Sequence, residues 1–242
     1  MPFERYAIFW APRADDPLAV FEHEWFGRSA NASENCKAEA AIPAGENAYA
    51  QPHEPLGLEA ELAARATRIP SRYALHGTMK APFRPREGVE LSALLEAMAA
   101  FCARRRRVVT GKLRLHRFPR FLALVLDGGT AELDWLADSC VTHFDHFRSP
   151  LNDEDRVRRG QMSSAEAILF EQFGYHYIFN NFTFHITLAG PLDEPELDAV
   201  KPALAAAVAP VCEEPFVVDN LCLFGDPGQG APFKLVERFP LM

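Results

Sequence analysis

The sequence predicts an α+β fold built from two matched halves. Segments with helical spacing and segments with strand spacing mix along the chain without strict alternation, which favours α+β over a doubly wound sheet. A ten-residue pattern also occurs twice, at 73–82 and at 182–191. This repetition indicates a duplicated half-fold in which each half contributes one strand. We therefore expect a single bilobal domain over residues 1–242, with its two halves intertwined.

The individual elements follow from hydrophobic spacing and turn residues. Strands are predicted at residues 6–10, 73–80, 112–118, 121–126, 182–188, 216–224 and 233–239, the last two as a terminal hairpin. Helices are predicted at 17–26, 56–67, 91–105, 130–147, 163–173 and 194–208, with Thr130 as an N-cap and Gly174 as a C-cap. Residues 27–55 are expected to form a long surface loop, and the charged stretch 149–162 a mobile one.

Composition limits the possible functions. The chain has 242 residues, 48% of them hydrophobic and 24% charged, which is enough for a sizeable core. Its formal charge of −8 disfavours a general nucleic-acid-binding protein, because such proteins gain affinity by neutralising phosphates. An acidic protein can still bind one phosphate through a local cationic pocket.

Cysteine usage and hydropathy predict a location in the cytoplasm. Five cysteines are scattered without a Cys-x-x-Cys pair, which disfavours zinc sites and disulfide frameworks and favours reduced thiols. The first residues lack a signal-peptide pattern, and no apolar run is long enough to span a membrane.

The repeated segments, YALHGTMKAP and FTFHITLAGP, each contain a His-x-Thr motif. His76 and Thr78 belong to the first copy, and His185 and Thr187 belong to the second. Residues two apart on a strand share a face and lie about 6.5–7 Å apart. One phosphate can therefore contact both the imidazole and the hydroxyl of a single motif.

Strand alternation predicts which side chains are buried. In the second copy, apolar residues at 182, 184, 186 and 188 share one face, and residues 183, 185 and 187 share the other. In the first copy, Leu75 and Met79 belong to the buried face. His76, Thr78 and Lys80 are predicted to share the opposite face, which would line a cleft.

Two imidazoles at one site predict acid–base catalysis. Imidazole titrates near pH 6.5, so one ring can accept a proton from water while the other protonates the departing oxygen. Threonine hydroxyls and Lys80 can stabilise charge on the phosphoryl oxygens. This chemistry needs no metal and no cofactor. Sequence leaves open which histidine is the acid, because local environment sets each pKa.

Further residues have two interpretations each. Tyr73 and Tyr175 are candidate substrate contacts or packing aromatics, and Lys80 is a candidate phosphate ligand or a solvated strand end. His143 and His146 would share a helix face, as metal ligands could, but no further ligand cluster accompanies them.

The two motifs resemble those of the two-histidine (2H) phosphoesterase superfamily, which includes LigT-like RNA ligases and cyclic phosphodiesterases. Longer segments are similar to a phosphonate-metabolism branch encoded beside carbon–phosphorus lyase genes. These segments are residues 72–83, 118–124, 144–148, 174–177 and 221–224. Residues 29–53 and 149–162 depart from that pattern, and these loops could set the substrate, so the resemblance does not fix which substrate is bound.

The resemblance implies two pseudo-symmetric lobes of mostly antiparallel sheet with outer helices, around a central cleft that holds both histidines. It also implies a small phosphodiester substrate such as a cyclic ribose phosphate. The leading hypothesis is therefore a phosphoric diester hydrolase. The alternatives are an enzyme that processes RNA 2′,3′-cyclic phosphate ends, which the acidic charge disfavours, and a non-catalytic phosphate-ligand-binding accessory protein of phosphonate metabolism.

Overall fold

A computed structural model describes residues 1–33 and 55–242 of the chain. Residues 34–54, which include most of the loop predicted over 27–55, lie outside the described residues. The predicted α+β class is confirmed, because helices surround a mainly antiparallel sheet.

One curved sheet runs through the described part of the chain. Its strands are β1 (Arg5–Trp10), β2 (Gly77–Phe83), β3 (Val108–Arg117), β4 (Leu122–Asp127), β5 (His185–Ala189), β6 (Pro215–Val218), β7 (Asn220–Asp226) and β8 (Lys234–Pro240). They are ordered β6-β3-β4-β5-β2-β1-β7-β8, and neighbouring strands are antiparallel throughout.

The helices pack around this sheet. They are α1 (Pro17–Phe26), α2 (Ala60–Thr67), α3 (Pro70–Tyr73), α4 (Leu91–Cys102), α5 (Ala131–Phe144), α6 (Asp153–Arg159), α7 (Ser164–Phe173) and α8 (Glu194–Val208). None of the described helices is long and apolar enough to cross a membrane.

Helix ends follow local capping chemistry. Ser163 and Glu166 form a reciprocal capping box at the start of α7, which ends at Gly174 in the left-handed conformation, as predicted. Helix α5 begins after Thr130, but the Thr130 side chain makes no capping hydrogen bond. The stretch predicted to be mobile over 149–162 contains α6, which Asn152 caps through the Asp155 amide. Three acidic residues in its first turn also complement the helix dipole.

Two predicted strands begin later than the hydrophobic pattern suggested. Strand β2 begins at Gly77 and not at residue 73, because α3 occupies 70–73 and Ala74 then adopts a φ of +63°. Strand β5 begins at His185 and not at 182, because residues 179–181 form a 3-10 turn. Each catalytic candidate histidine thus lies where its chain enters the sheet.

The predicted strand over 216–224 is two strands at distant places in the sheet. Its first part, β6, pairs with β3, whereas β7 pairs with β1 and β8. The chain changes direction at Asp219, whose carbonyl accepts a hydrogen bond from the Leu241 amide at 2.8 Å. The predicted terminal hairpin is confirmed as the β7–β8 pair.

The remaining boundaries differ by a few residues. Helix α4 ends at Cys102 and not at 105, α2 begins at Ala60 after a 3-10 turn at Pro55–Gly57, and β3 begins already at Val108.

The sheet consists of two four-stranded halves that meet at β2 and β5. Strands β6, β3, β4 and β5 form one half, and β2, β1, β7 and β8 form the other. The main core fills the space between one sheet face and the helices, and includes Trp25, Leu75, Met98 and Ile186. A smaller cluster on β1, β7 and the start of β8 includes Phe9, Phe224 and Phe233, and Tyr73 packs against it.

Candidate functional site

The two His-x-Thr motifs lie at the junction of the two halves. Strands β2 and β5 pair at Gly77 and Ile186, the middle residues of the two motifs. In antiparallel pairing, directly opposite residues share a face. Extending this register by one position sets His76 opposite Thr187 and Thr78 opposite His185. The structure thus brings the four predicted catalytic side chains together, with the histidines on a diagonal whose Cα atoms lie about 7–8 Å apart.

The alternation predicted for these segments is confirmed at the apolar positions except Phe182, which precedes β5 and is half-buried. Phe184, Ile186 and Leu188 are at most 3% exposed, as are Leu75 and Met79 in the first motif. His76, Thr78, His185 and Thr187 remain half-buried. The polar side chains of both motifs are therefore accessible on the face opposite the core.

Both imidazoles are held in the same way. Nδ1 of His76 lies 2.8 Å from the carbonyl oxygen of Ala74, and Nδ1 of His185 lies 2.9 Å from that of Thr183. In each neutral ring Nδ1–H donates to the carbonyl two residues back, which leaves the lone pair on Nε2. Each motif therefore presents Nε2 to a ligand.

His76 is packed among aromatic rings. Its ring centroid is 4.1 Å from that of Phe9 and 5.8 Å from that of Tyr73. Burial lowers the pKa of His76 from 6.5 to about 4; the hydrogen bond to Ala74 opposes the shift and the nearby His185 adds to it. His76 is therefore neutral at pH 7.

A buried carboxylate fixes the backbone before His76. Glu22, on α1, is 0% exposed and accepts hydrogen bonds from the Leu75 amide at 2.7 Å and the Ala30 amide at 3.2 Å. Burial raises its pKa, and those backbone hydrogen bonds oppose the rise. The interaction holds Ala74 in the left-handed half of φ space, which a residue with a Cβ seldom adopts.

His185 faces a second aromatic group. The rings of Phe118 and Phe121 stack at 4.3 Å with an angle of 8° between their planes. Their centroids lie 6.0 Å and 5.9 Å from the His185 ring. Each histidine thus has two aromatic rings beside it, Phe9 and Tyr73 at His76 and the two phenylalanines at His185.

A cleft of about 420 Å³ lies beside the His76 motif. Tyr73 and Tyr175, both predicted as substrate contacts, line it, and so does Lys80. A volume of this size falls within the range of small-molecule sites. The Tyr73 ring stacks on the His76 ring, so the cleft adjoins the imidazole.

The environment of Lys80 differs from the prediction, which placed its side chain on an open cleft face. Its side chain is 3% exposed, and Nζ donates to the Val141 carbonyl and to Asp145 Oδ1, each at 3.2 Å. Burial lowers its pKa, and the Asp145 carboxylate opposes that shift. A buried ammonium group requires hydrogen-bond partners of this kind. Lys80 therefore lies inside the wall of the cleft and adds positive charge to it from there.

Sequence reasoning did not single out several residues that shape the site. Glu22 lies on a predicted helix, with no motif to mark it, and its role depends on a contact 53 residues along the chain. Phe9 belongs to a strand whose sequence is typical of any buried strand. The Phe118-Pro-Arg-Phe121 turn was a better signal, because two phenylalanines flank a proline turn between adjacent strands.

The described residues do not provide a ligand set for the alternative metal site. Within 1–33 and 55–242, no group of three His, Cys, Asp or Glu side chains could hold an ion. The rings of His143 and His146 are 6.4 Å apart, and His143 packs against Phe101 and Phe144.

Comparison with known proteins gives relatives for the whole chain. A protein named ribose 1,5-bisphosphate phosphokinase PhnN from Janthinobacterium sp. (strain Marseille) is 33% identical over 98% of this chain and 50% of its own length. Its namesake from Laribacter hongkongensis (strain HLHK9) is 29% identical over 96% of this chain and 50% of its own length. The chain thus spans about half the length of these curated relatives.

Among solved structures, the chain is similar to E. coli LigT complexed with 3′-AMP, at 13% identity and a TM-score of 0.45, with 99% of each chain covered. A family model described as "Protein of unknown function (DUF1045)" matches residues 78–234, which include Thr78 and the whole second motif. Because that model matches well over half of the residues, the chain belongs to the DUF1045 family.

Proposed function

We propose that this protein is a phosphodiesterase that hydrolyses a small cyclic phosphodiester through acid–base catalysis by His76 and His185. The observation that carries the proposal is the diagonal pair of imidazoles at the β2–β5 junction. Each ring is oriented by its own backbone carbonyl, and each is accompanied by a threonine. Binding a phosphate would not by itself require two matched imidazoles that both leave Nε2 available.

The surroundings of His76 favour it as the base, which leaves the role of acid to His185. His76 is neutral at pH 7, so its Nε2 accepts a proton from the attacking water as the new O–P bond forms. His185, in its protonated form, donates a proton to the ester oxygen as the old P–O bond breaks. Thr78 and Thr187 donate hydrogen bonds to the non-bridging phosphoryl oxygens. The two proton transfers require no metal ion.

The proposed substrate is a cyclic ribose phosphate. The curated relatives are named for a kinase acting on ribose 1,5-bisphosphate, and this chain matches half of their length. Hydrolysis of the 1,2-cyclic phosphate of ribose 5-phosphate at the bond to O2 yields ribose 1,5-bisphosphate. A hydrolase of this type would supply that kinase with substrate, in keeping with the resemblance to a phosphonate-metabolism branch. The cytoplasmic location expected from sequence remains a prediction.

Turnover of cyclic phosphodiesters by matched variants tests the proposal. His76→Asn and His185→Asn should each lower kcat about 10²–10⁴-fold, the usual contribution of one proton transfer. The control is His23→Gln, an exposed position at the end of α1. Full activity in either motif variant would refute the mechanism. Tight binding of cyclic phosphates without turnover by the unaltered protein would favour the non-catalytic accessory role.

One observation favours RNA ends as a second candidate substrate. The stacked Phe118 and Phe121 rings beside His185 offer an aromatic surface of the kind on which nucleic-acid bases stack. Comparing oligonucleotides that end in a 2′,3′-cyclic phosphate with the cyclic ribose phosphate distinguishes the candidates. Faster turnover of the oligonucleotide, with loss in a Phe118→Leu variant, would establish the RNA substrate.

A further inference from the structure

The cleft beside His76 is strongly cationic, although the chain as a whole is acidic. Among the described residues that line it, five are basic and one, Asp155, is acidic. The five are Arg5, Arg72, Lys80, Arg84 and Arg148. Because the formal charge of the chain is −8, this concentration of positive charge is local and does not reflect general composition.

Two carboxylates that do not themselves line the cleft each bind two of these cations. Asp226, which is 1% exposed, accepts hydrogen bonds from Arg5 Nε at 2.9 Å and from Arg72 Nη2 at 3.1 Å. Asp145 accepts from Lys80 Nζ at 3.2 Å and from Arg148 Nε at 2.9 Å. One carboxylate between two cations neutralises half of their charge. Each pair therefore remains net positive while its geometry is fixed.

The fifth cation, Arg84, is the most exposed of the group. Its side chain is 35% accessible, compared with 24% for Arg5, 25% for Arg72 and 11% for Arg148. Its Nη1 donates to Asp155 Oδ1 at 3.0 Å, and its Nη2 donates to Asp155 Oδ2. A phosphate in the cleft would therefore share the Arg84 guanidinium with the Asp155 carboxylate.

Intervening side chains connect this cleft to both members of the first His-x-Thr motif. The Arg72 guanidinium carbon is 5.6 Å from the Tyr73 ring centroid, which is 5.8 Å from that of His76. On the other side, a small cavity at Thr78 shares the walls formed by Ala81, Val141, Tyr175 and Ile178 with the cleft. A ligand with one group between the imidazoles can thus extend a second group into the cationic cleft.

We propose that the cleft is a second anion subsite, which binds a non-reacting phosphate of the substrate whose phosphodiester is hydrolysed at the two histidines. This inference rests on the proposed function and assigns a binding place to the 5-phosphate of its substrate, namely the cationic cleft. Arginines in the cleft suit that role, since a guanidinium can bind two phosphate oxygens in parallel.

The test compares two substrates that differ by one phosphate. The unaltered protein should hydrolyse ribose 1,2-cyclic phosphate 5-phosphate with a kcat/KM about 10- to 100-fold above that for ribose 1,2-cyclic phosphate, as expected for charge-assisted hydrogen bonds. Arg84→Gln and Arg72→Gln should lower this ratio mainly through KM. Both should lower kcat/KM less on the substrate without the 5-phosphate, so the ratio isolates the loss of the 5-phosphate contact. Arg84→Lys should restore part of the ratio.

Calorimetry with ribose 5-phosphate provides a measurement that needs no turnover. Its affinity should fall about 10-fold or more in Arg84→Gln, with thermal unfolding used to verify that the variant is folded. The matched control is Arg65→Gln, which removes the same charge from the exposed surface of α2. That control should leave both the substrate preference and the affinity unchanged.

The outcomes separate the two proposals. The proposed second subsite would be refuted by equal turnover of both substrates, or by an affinity for ribose 5-phosphate that is unchanged in both Arg84→Gln and Arg72→Gln. Neither result would contradict the proposed hydrolase function. Arginine-dependent binding of ribose 5-phosphate without turnover of either cyclic substrate would support the subsite and refute the hydrolase.

Discussion

Glu22 and His76 hydrogen-bond to opposite ends of one peptide group. The amide of Leu75 donates to Glu22 Oε1, and the carbonyl of Ala74 in the same peptide accepts from His76 Nδ1. A helix in one part of the chain thereby determines the orientation of an imidazole in another. Glu22 is a positioning residue for His76, since it acts through the backbone and not on the substrate.

Replacing Glu22 with Gln should weaken both the fold and the activity. The glutamine amide group would face one of the two backbone N–H donors, which would leave a buried donor without an acceptor and cost about 1–3 kcal/mol of unfolding free energy. We expect kcat to fall with little change in KM, because substrate contacts remain. Denaturant unfolding and steady-state kinetics measure the two effects.

Glu24→Gln is the matched control, because it removes a carboxylate from the exposed side of the same helix. It should leave kcat near that of the unaltered protein. A Glu22→Gln variant that loses stability but keeps full kcat when folded would show that Glu22 does not position His76.

Gly77 should not tolerate a side chain. A Cβ atom at this position would lie 2.2 Å from Cε2 of Phe184, and the Phe184 ring is buried beside Phe216. Gly77→Ala should therefore destabilise the protein by about 1–3 kcal/mol through overpacking, measured by chemical denaturation. In a Phe184→Leu background the same change should cost less, because the shorter side chain leaves room for the methyl group. Equal costs in both backgrounds would contradict the contact.

Stability should decrease as the pH falls from about 6.5 to about 4, in part because of His76. Its folded pKa of about 4 lies below the unfolded value of 6.5, so the unfolded chain binds more protons in this interval. A shift of this size corresponds to about 3 kcal/mol. His76→Gln should flatten the pH dependence of unfolding free energy between those values. An unchanged slope would mean that His76 titrates normally in the folded protein.

Asp226→Asn should strongly destabilise the fold. The carboxylate is 1% exposed and accepts hydrogen bonds from Arg5, from Arg72 and from the Gly228 amide. Removing one partner from a buried charge network typically costs about 3–5 kcal/mol. The lowered melting temperature should be matched by weaker ribose 5-phosphate binding, since two cleft arginines lose their anchor. Asp15→Asn, at an exposed aspartate, is the control.

The burial pattern of the side chains in the two motifs could be predicted from sequence, because strand alternation and the internal repeat are visible over a few neighbouring residues. Phe184, Ile186 and Leu188 are buried as the period of two requires. Sequence could not predict that β2 starts at Gly77, because the turn at Ala74 is fixed by a carboxylate from a distant helix. The sequence also did not indicate the cationic cleft. Arg5, Arg72 and Arg148 are far apart in sequence, and the carboxylates of Asp226 and Asp145 hold them at the cleft.

Strands β2 and β5 share one residue pair in the described structure, so other contacts hold the two halves of the sheet at their observed separation. Trp25 Nε1 in α1 donates to the Leu188 carbonyl at 2.7 Å, and the Gly190 amide donates to the Ala66 carbonyl in α2 at 2.8 Å. The gap between the two histidines is thus set by two helices that carry neither motif. Drift in that helix packing during evolution would alter the spacing of the two imidazoles while leaving both motif sequences untouched.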